Sequence, residues 1–159
     1  MTTDYETDFY AWSDEQARLL RGRRFTELDI AHLAEEVEDL GKRERRALES
    51  RLAVLIGHLL KWRYQTDYPY RKSWRATINT QRRSIQRLLA ENPSLGAQLE
   101  ALIASAYPDA VDLAVAETSL DYVAFPPGCP WDRDLILGDH WPSLSPDRGG
   151  IGADPSSSG

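Results

Sequence analysis

The sequence predicts an all-α protein: a single-domain helical bundle of five to seven helices with a disordered C-terminal tail. Three observations carry that expectation. Apolar residues recur every three to four positions along most of the chain. Alternation of period two never lasts more than a few residues, and no Asn-Gly hairpin turn occurs. Gly and Pro punctuate the stripes at helix-length intervals. The helical domain is expected over 5–142 and the tail over 143–159, where Ser, Pro, Gly and Asp crowd out apolar residues.

Each element has its own signal. Asp8 to Arg21 carries Phe9, Trp12, Gln16, Leu19 and Leu20 on one side, and Gly22 is a candidate left-handed stop. Thr26 and Asp29 compete as N-caps for a helix striped by Ile30, Leu33, Val37 and Leu40. A second stripe, Leu48, Leu52, Leu55, Leu59 and Trp62, nearly continues it. One helix from Ile30 to Tyr64 would be about 52 Å long, longer than the roughly 40 Å diameter of a compact domain of this size, so a break or kink is expected at Gly41. Tyr68-Pro69-Tyr70 ends that region. Ser73 is the expected cap of a helix burying Trp74, Ile78, Gln81, Ile85, Leu88 and Leu89. Asn92-Pro93-Ser94 is a turn before Leu95, Leu99, Leu102, Ile103 and Ala106, and Pro108 is expected to restart the pattern. Phe125-Pro126-Pro127-Gly128 reads as a loop, and Pro130 to Leu137 as a short helix closed by Gly138.

Composition narrows the function classes. The chain has 159 residues, enough for a core without disulfides. No apolar run is long enough to cross a bilayer. The acidic N-terminus lacks a signal pattern, so a cytoplasmic protein with no membrane partner is expected. Cys129 stands alone in a Pro-Gly-Cys-Pro loop and is expected to be a half-buried small residue. Charge is segregated: residues 1–41 carry a net −7, residues 42–87 a net +10 and residues 88–159 a net −9, which together make the overall −6. Blocks of this kind either neutralise one another within the fold or offer a basic surface to an acidic partner.

Several separated blocks resemble a known family. They are Asp8-Phe9-Tyr10-Ala11-Trp12, Leu28-Asp29, the run from Leu33 to Leu52, His58 to Trp62, Ser73 to Ile78, Asn92 to Leu95, Glu117-Thr118 and Phe125-Pro126. Over about residues 5–142 the chain resembles the bacterial family called domain of unknown function 29. The resemblance implies a small all-helical protein and carries over no activity or catalytic residue. Members often have Asn where His32 stands, so it implies no shared chemistry for His32.

The residues themselves offer two constellations. His32 and Glu36 lie four apart on one helix face, a spacing that suits a pH-sensitive ion pair or metal ligation, but no second histidine follows. Glu36, Arg51, His58, Gln81 and Arg82 sit at the edges of apolar stripes and form a candidate polar cluster, structural or functional. Lys61, Arg63, Arg71, Lys72, Arg75 and Arg83 form a candidate basic surface, interleaved with aromatics over residues 61–87. Trp62 and Trp74 lie on apolar stripes and are expected in the core, which weakens a nucleic-acid reading. Glu38, Asp39, Lys42 and Arg43 give acid-before-base pairs that support the helix around Gly41. No phosphate loop, nucleophile elbow or zinc-finger spacing occurs. No cofactor and no metal are expected, and the reading leans away from an enzyme. A non-enzymatic protein-interaction or self-associating module comes first, nucleic-acid binding through 61–87 second, and an enzyme or metal site on Glu36 and His58 third.

Overall fold

A computed structural model describes residues 3–67, 69 and 71–142, and the expected tail over 143–159 lies outside the described residues. Among them the elements are five α-helices and three 3-10 turns, with no strand: α1 (Phe9–Arg21), α2 (Ile30–Tyr64), α3 (Arg71–Glu91), α4 (Leu99–Glu117) and α5 (Arg133–Leu137). The all-α expectation therefore holds. The chain separates into two compact units, Met1–Arg45 and Arg46–Gly159.

In the first unit, Asp8 caps α1 by accepting from the Ala11 N–H at 3.0 Å. Trp12, Gln16 and Leu19 are buried, whereas Phe9 and Leu20, expected beside them, are about half exposed. The left-handed residue after α1 is Arg23 (φ 56°), not Gly22, whose φ is −78°. Of the two competing caps, Asp29 starts α2: its carbonyl takes the first helical bond from Leu33, and Thr26 lies in the preceding 3-10 turn.

Gly41 does not break α2, which runs unbroken from Ile30 to Tyr64. A helical glycine costs only about 1 kcal/mol relative to Ala. Here good helix formers flank it, and Lys42 pairs with Asp39 at 3.9 Å, so propagation wins.

The second unit holds the main core. Leu48, Leu52, Leu55, Ile56, Leu59 and Leu60 of α2 meet Ile78 and Ile85 of α3 and Leu99, Leu102, Ala106, Ala110 and Ala114 of α4, with Phe125 added after a 3-10 turn and Ile136 by α5. α2 and α4 approach closely at Gly57, where a Cβ would lie 2.8 Å from Leu113 Cδ2 and 3.1 Å from the Ala110 carbonyl. Two boundaries differ from expectation. α3 begins at Arg71, so Ser73 lies inside it and not at its cap. α4 passes through Pro108, which does not restart it. Pro108 is exposed while Ala106, Tyr107, Ala110 and Ala114 are buried, so the inward face holds the helix across the missing N–H.

Candidate functional sites

The expected basic surface does not include all six of its members. Lys61, expected on it, is only 1% exposed. α2 turns this residue onto the buried side, next to Leu60, so its ammonium must find partners inside. It donates to the Glu117 carboxylate and lies 3.3 Å from His58 Nε2 and 4.9 Å from the Trp74 ring centroid. His58 Nδ1 sits 2.8 Å from the Val54 carbonyl, which makes Nδ1 the protonated nitrogen and leaves Nε2 to accept from Lys61. Burial, aided by the Lys61 charge, holds the His58 pKa below its ordinary value. Glu117 and Lys61 are 56 residues apart, and no local pattern in the sequence connects them.

Arg63, Arg71 and Arg75 also turn to groups of their own chain. Arg71 lies 4.0 Å from the Trp62 ring centroid and donates to the Trp62 and Gln65 carbonyls at 3.0 and 3.2 Å, closing the C-terminal end of α2. Arg63 lies 5.0 Å from the Tyr64 ring and Arg75 5.4 Å from the Trp141 ring. Lys72 and Arg83 are exposed. Trp74 is buried and Trp62 packs half-buried against the core, as their stripes imply.

The candidate polar cluster divides among different partners. Arg51 and Gln81 come together, Arg51 Nη1 donating to Gln81 Oε1 at 3.4 Å. His58 joins Lys61. Arg82, 5% exposed, donates to the carbonyls of Ile136, Leu135 and His140 at 2.9, 3.2 and 2.6 Å. Its guanidinium thus satisfies the C-terminal carbonyls of α5 and also lies 5.3 Å from the Trp141 ring. Gln86 adds a bond to the Leu137 carbonyl at 3.0 Å. Glu36 belongs to the first unit and accepts from the Tyr5 hydroxyl at 2.5 Å. That bond, with the Glu36 charge, raises the Tyr5 pKa to about 12.

In the first unit Asp29 is a hub. Its Oδ2 accepts from Trp12 Nε1 at 3.0 Å and lies 2.7 Å from His32 Nδ1, while its own N–H donates to Gln16 Oε1 at 2.8 Å. The Tyr5 ring stacks on His32 at 4.0 Å and meets Trp12 edge-on at 4.8 Å. The Asp29 bond raises the His32 pKa. His32 and Glu36, four apart, therefore serve different partners.

The apolar stripe of α2 in this unit is not covered. Ile30, Val37 and Leu40 are 63, 66 and 57% exposed, Leu33 is half-buried, and every residue from Val37 to Ala47 is exposed. A stripe at helical spacing normally faces a core; this one faces outward.

Each unit also carries a cleft. One of about 400 Å³ in the second unit is lined by Ile103, Tyr107, Pro127, Cys129 and Trp131, with Glu100 and Arg133 at its rim. Cys129 is half-buried as expected, its thiol pKa raised by burial, the direction of an inert thiol. The other, in the first unit, is lined by Asp4, Tyr5, Gln16, Glu27 and Asp29. Among the described residues, no three His, Cys, Asp or Glu side chains converge as a metal-ligand set, and no helix is long and apolar enough to cross a membrane.

The fold and these arrangements define an all-helical protein whose buried polar side chains, among the described residues, find partners within the chain. The chain belongs to the family described as Domain of unknown function DUF29, whose model matches residues 5–142. No curated protein and no solved structure matches it.

Proposed function

We propose that this is a non-enzymatic protein-interaction module of the bacterial cytoplasm, and that the exposed stripe of α2 is its working surface. The observation that carries the reading is the exposure of Ile30, Val37 and Leu40 at helical spacing. Burying one such side chain is worth about 1.5–3 kcal/mol, so a complementary helix face gains most of its affinity from this stripe. The buried cation at Lys61 and the arginines over their own aromatic rings leave few groups for stacking bases, which favours this reading over nucleic-acid binding. A lone cysteine suits a reducing compartment.

The experiment compares the full chain with a Val37→Ser, Leu40→Ser variant by light scattering and by retention of proteins on the immobilised chain. The wild type should associate, with itself or with a retained protein, and the variant should not, at unchanged helical circular dichroism. A strict monomer that retains nothing overturns the proposal.

A further inference from the structure

The exposed stretch of α2 is antisymmetric in charge. About the point midway between Leu40 and Gly41, Asp39 and Glu38 on one side are mirrored by Lys42 and Arg43 on the other, and Glu36 and Glu35 by Arg45 and Arg46. A helix with this pattern meets opposite charges when an identical helix lies against it in the reverse direction. We infer that α2 pairs with α2 of a second copy of this chain, antiparallel, about a two-fold axis through that midpoint. The inference rests on the reading of this face as an interaction surface and names its partner.

Helical geometry supports the pairing between about residues 36 and 45; Leu33 adds nothing to it, because the residue opposite would be Leu48 of the second copy, already inside that copy's own core. At about 100° per residue, Ile30, Leu33, Val37 and Leu40 form one stripe that Gly41 and Glu44 continue. Glu36 and Arg43 fall on one edge of it, Glu38 and Arg45 on the other. The two-fold axis sets each edge beside the same edge of the second copy. Glu36 then stands two residues, roughly 3 Å along the axis, from Arg43 of the second copy, and Glu38 is equally near Arg45 of the second copy. Tyr5 donates to Oε1 of Glu36, and Oε2 is the acceptor offered to the second copy. On one edge Leu40 packs against its own counterpart. On the other Gly41 meets Gly41, where a Cβ would find nothing within 4 Å in the single chain, so a second backbone can come close. Glu44 is the discordant member: it falls in the seam opposite Val37 of the second copy, and one charged seam residue lowers affinity while helping to fix register.

The test measures dimer affinity of the full chain by sedimentation and light scattering. Arg45→Glu and Glu38→Arg should each weaken self-association roughly tenfold, and an equimolar mixture of the two should restore it, because charges oppose correctly only in the mixed pair. Glu44→Leu should tighten it. In a Cys129→Ser background, Leu40→Cys should form a disulfide-linked dimer on mild oxidation, and Asp39→Cys, on the far side of the helix, should not. This second measurement decides the matter even where a charge variant fails to fold. Equal cross-linking at the two positions overturns the pairing, as does a mixture no tighter than its components. A monomeric wild type that still retains another protein through Val37 and Leu40 overturns the second copy alone. A chain that binds nothing overturns the interaction surface as well.

Discussion

Lys61, 1% exposed, gives its ammonium to the carboxylate of Glu117, whose side chain is 52% exposed. The buried charge thus hangs on a partner at the surface. Truncating the partner leaves an ammonium inside with only His58 Nε2 and the Trp74 ring near it. Glu117→Ala should therefore cost about 1–3 kcal/mol, below the figure for a fully buried pair because water reaches the carboxylate site. Lys61→Met, which removes the buried charge itself and keeps the volume, should cost less. Urea midpoints of the two variants check the order, and a larger loss from Lys61→Met would contradict it.

Arg82 offers a second comparison. Its guanidinium serves the Leu135 and Ile136 carbonyls of α5 and that of His140 beyond it, and a lysine ammonium cannot hold that planar fork. Arg82→Lys should lower stability by about 1–3 kcal/mol and loosen residues 133–142, read as faster proteolysis there and a changed Trp141 fluorescence. Unchanged cleavage would show that α5 is held by Ile136 alone.

At Gly57 the added methyl of Gly57→Ala would stand 2.8 Å from Leu113 and 3.1 Å from a carbonyl. Overpacking should outweigh the gain in helix propensity, for a net loss of about 1–3 kcal/mol. Gly41→Ala, with open space around it, should instead raise helix stability by about 0.5–1 kcal/mol. Thermal melts of the two variants should move in opposite directions.

The two histidines in contact with acidic or basic neighbours respond to acid with opposite signs. His58, beside Lys61 and Glu117, has its pKa lowered below the ordinary 6.5, chiefly by burial. The unfolded chain then takes up a proton more readily, so the second unit loses stability as pH falls from 6.5 toward the folded value. His32 has its pKa raised, chiefly by Asp29, so its contribution is full below 6.5 and fades as pH rises through the raised value. Asp29 stays ionised in that range because its own pKa is lowered. Mild acidification should lower amide protection factors, which are corrected for the intrinsic slowing of exchange in acid, in the second unit and raise them in the first, and His58→Gln should flatten the former.

Much of the helical framework was legible because its signals are local. The stops near Gly22 and Asn92 and the buried beat of Leu48, Leu52, Leu55 and Leu59 depend on neighbours within one or two turns. Gly41 and Pro108 misled the reading because a breaker's cost is small against flanking helix formers or a buried face, and only the sum decides. Cross-chain partners were not legible. Glu117 lies 56 residues from Lys61, and the carbonyls that Arg82 holds lie more than 50 residues away.

Amino-acid order alone determined the helical class, the alternation of acidic and basic blocks and the positions of the apolar stripes, since periodicity and charge are properties of a chain before it packs. Only the tertiary structure decided which stripes are covered and which cations are inside. Burial depends on what distant segments bring alongside, and so Leu55 lies in a core, Leu40 in solvent, and Lys61 inside despite its charge.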